Sequence, residues 1–378
     1  MASTLAHVTP DVLRWARESV GYDIGDAAAR IRVKPEKLQQ AEHGDQKLTL
    51  RQAERAALVY ERPLAVLFML EPPVEDEQEA QFRRLPGAPT PPWPPEMNLL
   101  ARRVRERQED AVELYEALEQ EPPWVSVAHD LASLDRAVPE FARHSLGIGL
   151  DEQANWRDHS GYTGLRAWVD AVESLGVLVM QDGSMPVKMM RGFAAPHSLV
   201  PLIVVNTQDD ARARVFTLLH ELGHLNLAAI GQRVGPETEP WCEGFAGEVL
   251  MPRASIEDAL KDLRGREPLD TIDALALHFG VTPYAAAVRV AKSELWEQAI
   301  TDEVILAIRN RSERDRVGGG NYYWTQISRF GPSFIRLVFS ALDGQAITYP
   351  AASSLLDGVK VSNFDKLRSY LARRAEQE

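Results

Sequence analysis

A chain of 378 residues, 45% hydrophobic and 26% charged, has the length for two or three domains with buried cores and the polarity of a soluble protein. No run of about 18 apolar residues is present, which excludes a membrane span, and the opening MASTLAHVTPDVLRWARESV lacks the basic-then-apolar order of a signal peptide. A net charge of −13 argues against a protein coated in nucleic acid, while leaving room for one small DNA-reading domain.

Residues 1–71 read as a bundle of short helices. Ile24–Ile31 has an apolar face, Arg32-Val33-Lys34 forms a tight turn, and Pro35–Glu42 is a second helix closed by His43-Gly44. Leu48-Thr49-Leu50 leads into a third helix ending near Tyr60. Two short helices joined this way make a helix-turn-helix, whose second helix can enter a major groove. Over residues 10–62 the ten Arg and Lys barely exceed the nine Asp and Glu, but Arg30, Arg32, Lys34 and Lys37 gather around the turn. The expected DNA-binding residues are Arg32, Lys34, Lys37, Gln39 and Gln40, the glutamines reaching base edges. The arrangement resembles the XRE/Cro-type fold. That family often closes with W-E-x-G, and here Ala41-Glu42-His43-Gly44 lacks the aromatic residue. The bland alternative is a helical interaction or dimerisation domain without DNA affinity, and either reading allows a homodimer.

Residues 72–121 form a connecting region. EPPVEDEQEAQFRRLPGAPTPPWPPE is a proline-rich linker, with Phe82 and Leu85 as apolar anchors, and a charged helix follows over 97–121 until Pro122-Pro123. Next, GLRAWVDAVES (164–174) is helical by period. Val177–Met180, Arg191–Ala194 and Leu202–Asn206 read as short strands, the last two joined through Ala195–Ser198. Thr207, or Asn206 before it, is expected to cap the next helix, with Asp209 and Asp210 in its first turn.

That helix carries His220-Glu221-Leu222-Gly223-His224. Histidines at i and i+4 share one helix face and can reach one Zn²⁺, and the glutamate between them faces the open coordination position as a general base. Val215, Leu218, Leu219, Leu222 and Leu225 surround the pair, so the helix is expected to be mostly buried. Two histidines on an exposed helix would sit in a broader polar face. Downstream, GPETEPWCEGFAGEVLMP places Glu239, Glu243, Ala246 and Leu250 on one stripe. Two carboxylates on an apolar face are costly unless they are paired or bind a cation. Glu239 is chosen as third ligand and Glu243 as the residue orienting a ligand histidine, though the spacing allows the reverse. Glu237 and Glu248 read as ordinary surface charges. Cys242, the only cysteine, cannot form an internal disulfide, which fits a reducing cytoplasm. Beside Glu243 it reads as a small packing residue, because an acidic neighbour raises a thiol pKa. Zinc is the default metal for His₂Glu, and manganese also suits a mixed N/O site.

These residues resemble the ImmA/IrrE family of metallopeptidases. Arg214, Phe216, Thr217, His220, Glu221 and His224 match its R-x-F-T-x-x-H-E-x-x-H pattern, and Phe245, Ala246, Leu250, Met251 and Pro252 match its F-A-x-x-L-L-M-P ending. The family's third ligand lies twelve residues before the methionine, which is Glu239, whereas Glu243 stands where asparagine is usual. The resemblance covers roughly 125–300. It implies a zincin-like fold in which an edge strand, Met190–Ala194 or Leu202–Asn206, holds an extended substrate. It also implies a gluzincin-like endopeptidase of narrow range, cleaving a repressor or antitoxin in a stress or mobile-element pathway. No residue is identified as the oxyanion donor; His197 and Tyr284 are candidates, with ordinary packing or loop roles as the favoured reading of both. The segment with GGGNYYWTQISRFG (Gly318–Asn321 as a loop) and ITYPAASSLL resembles a tail of longer helix-turn-helix members.

The expected whole is mainly α with a small β-sheet (α+β). A helix-turn-helix domain (1–71) and connector (72–121) precede a zincin-like metallopeptidase domain (122–300) and a helical C-terminal domain (301–378). Two functions from different classes fit. One is a cytoplasmic zinc peptidase fused to a domain for double-stranded DNA, acting on a regulatory protein and involving no membrane. The other is a DNA-binding repressor or antitoxin whose metal domain serves as a sensor or dimerisation module.

Overall fold

In the computed structural model, which describes residues 4–73, 93–124, 126, 137–156, 160–232, 234–311 and 322–375, the chain is mainly helical with one small three-stranded sheet. Phe82, Leu85 and Gly318–Asn321 lie outside the described residues. Among the described residues no single helix is long and apolar enough to cross a membrane. The chain divides into two compact units, with the break inside the helix Pro95–Ala117: residues up to Glu106 belong to the first and those from Arg107 to the second.

In the first unit, local capping sets the helix ends. α1 (Pro10–Val20) begins on a first-turn proline and stops at Gly21. The Asp23 carboxylate accepts from Asp26 N at the start of α2 (Ile24–Ile31), which ends at Arg32 in the left-handed region (φ 64°). α3 (Pro35–His43) ends at Gly44, and Thr49 with Gln52 forms a capping box at the start of α4 (Leu50–Val59). Leu13, Val20, Ile31, Leu38, Leu48 and Tyr60 fill the core between these helices. One buried ion pair crosses it. The Arg17 guanidinium donates to both Glu42 oxygens (2.8 and 2.9 Å) and to Tyr22 O (2.8 Å). Removing one partner of such a forked pair costs about 3–5 kcal/mol, because it strands the other charge. Glu42 therefore ties α3 to α1 from inside.

In the second unit the sheet order is β1 (Leu178–Asp182), β3 (Leu202–Asn206), β2 (Gly192–Ala195). β1 runs parallel to β3 and β2 antiparallel to it. All three strands are buried along their length, and their apolar stretches Leu178–Met180, Phe193–Ala195 and Leu202–Val205 read as unbroken runs for that reason. Leu202–Asn206 is the central strand and so has no free edge to offer a substrate; of the two candidate strands only β2 lies at an edge. α5 (Ala211–Ala229) packs centrally against β2, β3, the helix Tyr162–Ser174 and α6 (Glu239–Leu250).

The segment beyond 301 makes contacts within this unit. Gly331 lies against Val179 O of β1, Ser333 N donates to Glu173 (2.8 Å), and Arg374 pairs with Asp170 (2.7 Å).

Candidate metal centre

α5 begins two residues after the acidic pair's first member: Asp210, not Thr207 or Asn206, is its cap, and its carboxylate accepts from Arg212 N (2.9 Å). Asn206 does something else. Fully buried, it donates to Met185 O and Met190 O (both 2.8 Å) and accepts from Gln208 N, so one side chain pins the loop that walls the cleft described below. Arg214 is buried and holds the helix start through Gln181 (3.0 Å) and Tyr162 OH (3.2 Å).

Two glycines let the elements close on the histidines. A methyl group on Gly192 would lie 2.6 Å from both Val204 O and Thr217 Cγ2, so β2 can approach α5 only without a side chain there. A methyl on Gly223 would lie 3.3–3.4 Å from Phe245 and Cys242, so the motif's own glycine admits α6.

The resulting geometry brings three donors together. His220 Nε2 and His224 Nε2 are 3.1 Å apart, and the Glu239 oxygens lie 3.2 Å from the first and 3.4 Å from the second. Donors about 2.0–2.1 Å from a tetrahedral ion stand about 3.3 Å from one another, so the trio fits zinc. Burial, then the facing His220 ring, holds His224 down at about 3, and burial lowers His220 against the pull of Glu239. Both shifts favour the neutral rings, whose lone pairs a cation needs. Glu221 is buried and pushed well above the usual carboxylate range by desolvation and by Glu239. It accepts a hydrogen bond from the backbone N–H of Ala194 in β2, while its Oε2 has no partner among the described residues. A cleft of about 390 Å³ opens over these groups, walled by Val187–Gly192, Phe216, Thr217, Glu239 and Glu243.

The predicted residues do not all gather here. Glu243 lines the cleft, but its carboxylate pairs with Lys292 and not with a ligand histidine. The group at His224 Nδ1 is Cys242 Sγ, 3.3 Å away. Burial, and after it the charges of Glu239, Glu221 and Glu243, raise the Cys242 thiol far above its ordinary range, which disfavours the reactive thiolate. Glu248 is a partner of the largely buried Arg289, and not a free surface charge. Neither oxyanion candidate lines the cleft: His197 Nδ1 accepts from Leu199 N and Val200 N in a turn, and Tyr284 OH accepts from Arg309. Sequence reading missed Asn206, the Ala194 N–H and the contact of Cys242. Only Cys242 left a signal, one helical turn after Glu239 on the same face. In the first unit, Arg32, Lys34, Gln39 and Gln40 are exposed on the α2–α3 turn and on α3, and Lys37 is half-buried.

Comparison with known proteins adds one finding. The family model for the IrrE N-terminal-like domain, of the M78 peptidase type, matches residues 172–291. That stretch runs from the end of the helix before β1 to α6 and beyond, so it contains the donors and the cleft wall. The match supports a metallopeptidase-like domain and, with it, a metal, usually zinc. No curated protein and no solved structure gave a significant match to the chain.

Proposed function

We propose that the second unit is a zinc-dependent endopeptidase. The observation that carries this reading is the convergence of His220, His224 and Glu239 within 3.1–3.4 Å beside a buried, half-satisfied Glu221. The three would hold the ion, and manganese would also suit the donor set. When bound, zinc supplies Lewis acidity toward a scissile carbonyl and makes water more acidic. With a cation on the three donors, the desolvation and the charge of Glu239 that raise Glu221 would be offset, so that Glu221 is ionised. Its free oxygen would then take the proton from the attacking water and later give it to the leaving amine. The Ala194 N–H fixes the other oxygen, so the carboxylate stays aimed at the cleft. β2, paired on one side only, offers its free edge to an extended chain, which would lie along the cleft by strand addition. A repressor or antitoxin is the substrate class that the ImmA/IrrE resemblance implies, and the lone cysteine suits a cytoplasmic setting.

The exposed Arg32, Lys34, Gln39 and Gln40 favour a second activity in the same molecule, binding of double-stranded DNA, with Lys37 beside them. Cleavage could then end repression locally. Were the centre silent, the same chain would be a DNA-binding regulator with a metal-sensing or dimerising domain.

Metal content of the purified full chain, measured by mass spectrometry, tests the first reading. About one zinc per wild-type chain is expected, lost in His220→Ala. Glu221→Gln should keep the metal while cleavage of any protein the wild type cuts falls about 10²–10⁴-fold. Absence of stoichiometric metal after zinc loading and desalting overturns the peptidase reading and leaves the DNA-binding regulator.

A further inference from the structure

We infer that Cys242 is a positioning residue of the metal centre, its sulfur holding the Nδ1 edge of His224 so that Nε2 is kept for the ion. This rests on the reading of His220, His224 and Glu239 as ligands. Cys242 and His224 are both fully buried, and Sγ sits 3.3 Å from Nδ1, on the side of the ring away from the other two donors. Sγ is not among the atoms that converge as possible ligands, which are those of His220, His224 and Glu239. For Nε2 to present a lone pair, the proton must sit on Nδ1, so Nδ1–H donates and Sγ accepts.

The two ligand histidines are therefore held differently. His220 Nδ1 is buried with no hydrogen-bond partner among the described residues, and its ring is steadied by Phe216, stacked at 6.4 Å between centroids. His224 has the thiol. Ligand histidines usually donate to a carboxylate, a backbone carbonyl or water, all of which feed electron density into the ring. Sulfur is a weaker acceptor, so this contact fixes orientation while adding little basicity. The same helix supplies both functions: Glu239 and Cys242 lie one turn apart, and the close approach at Gly223 brings Cys242 against α5. Any movement of α6 thus moves the third ligand and the support of the second together.

The test is the zinc dissociation constant of the full chain by chelator competition, for wild type, Cys242→Val and Cys242→Ser, with the thermal midpoint of each metal-free protein measured alongside. Valine fills the site with a side chain about one methyl larger and removes the acceptor, while serine keeps an acceptor in a slightly smaller side chain; the metal-free midpoints report what either change in size costs. The expected result is a Kd raised about tenfold in Cys242→Val, at the lower end of what loss of such a partner costs, and restored to within about threefold of wild type in Cys242→Ser. The metal-free midpoints should not follow that order. Unchanged zinc affinity in Cys242→Val overturns the inference. So does equal weakening in both variants that tracks a loss of metal-free stability, which would mark Cys242 as packing alone. Failure of the wild type to bind zinc at all would remove the metal reading itself, a result distinct from either.

Discussion

Gly192 shows how much of the centre depends on single positions. Its missing side chain leaves room for Val204 O and Thr217, and two residues further on the Ala194 N–H meets Glu221. A backbone oxygen cannot rotate away as a side chain can, so Gly192→Ala must shift β2 itself. The expected cost is about 1–3 kcal/mol, read as a lower urea midpoint with an unchanged slope. An unaltered midpoint would mean that the strand moves freely and that the close fit carries no energy. At this scale the histidines were legible because their spacing is local, one helical turn apart, while spacing alone left Glu239 and Glu243 open and the family resemblance favoured Glu239, twelve residues before Met251. The partners of those donors were not legible. Cys242 reaches His224 from another helix, and Asn206 reaches Met185 and Met190 across a loop. Contacts of that kind follow from packing between elements, which neither periodicity nor propensity records.

Elements were legible where they announce themselves by caps or by apolar runs, as with α2, α3 and the strand Leu202–Asn206. Their neighbours were not. Placing β1 parallel to β3, with β2 outside, requires a crossover that no local pattern encodes, and this is why the central strand passed for an edge. The joint between the helix Tyr162–Ser174 and the helix Pro332–Asp343 is a further case. Glu173 accepts from Ser333 N there, with Arg374, Asp170 and Arg336 around it. Desolvation dominates and raises the carboxyl to about 7, with Ser333 and Arg374 pulling it down and Asp170 up. The folded protein therefore holds a proton here that the unfolded chain releases nearer its ordinary value of 4.5. Stability contributed by this group is full below about 4.5 and is lost as pH rises through about 7. Glu173→Gln cannot titrate. Its thermal midpoint should match the wild type near pH 4 and exceed it at pH 8, the gap opening between about 4.5 and 7. Parallel curves for the two proteins would refute a raised carboxyl at this joint.

Across the whole molecule, charge separates the two proposed activities. The chain carries −13, yet residues 10–62 are nearly balanced, with exposed Arg32 and Lys34 at the turn before α3. A uniformly acidic protein repels DNA, so any affinity must come from that local cluster and must be strongly salt-dependent. Non-specific binding of the full chain to a short duplex is expected near 10⁻⁴–10⁻⁶ M at physiological salt, and tighter when salt is lowered. If Arg32 and Lys34 meet phosphates, replacing both by alanine should weaken binding to every sequence alike and flatten the plot of log K against log salt by about two. Gln39→Ala and Gln40→Ala should behave otherwise, leaving the slope unchanged and lowering only the preference for an operator, because they would contact bases. The contrast between slope and preference assigns each residue to backbone or base. Binding at low salt that survives loss of both cations with its slope intact would place the DNA contact elsewhere. No binding at low salt would make the first unit an interaction module and leave proteolysis as the one activity proposed for the chain.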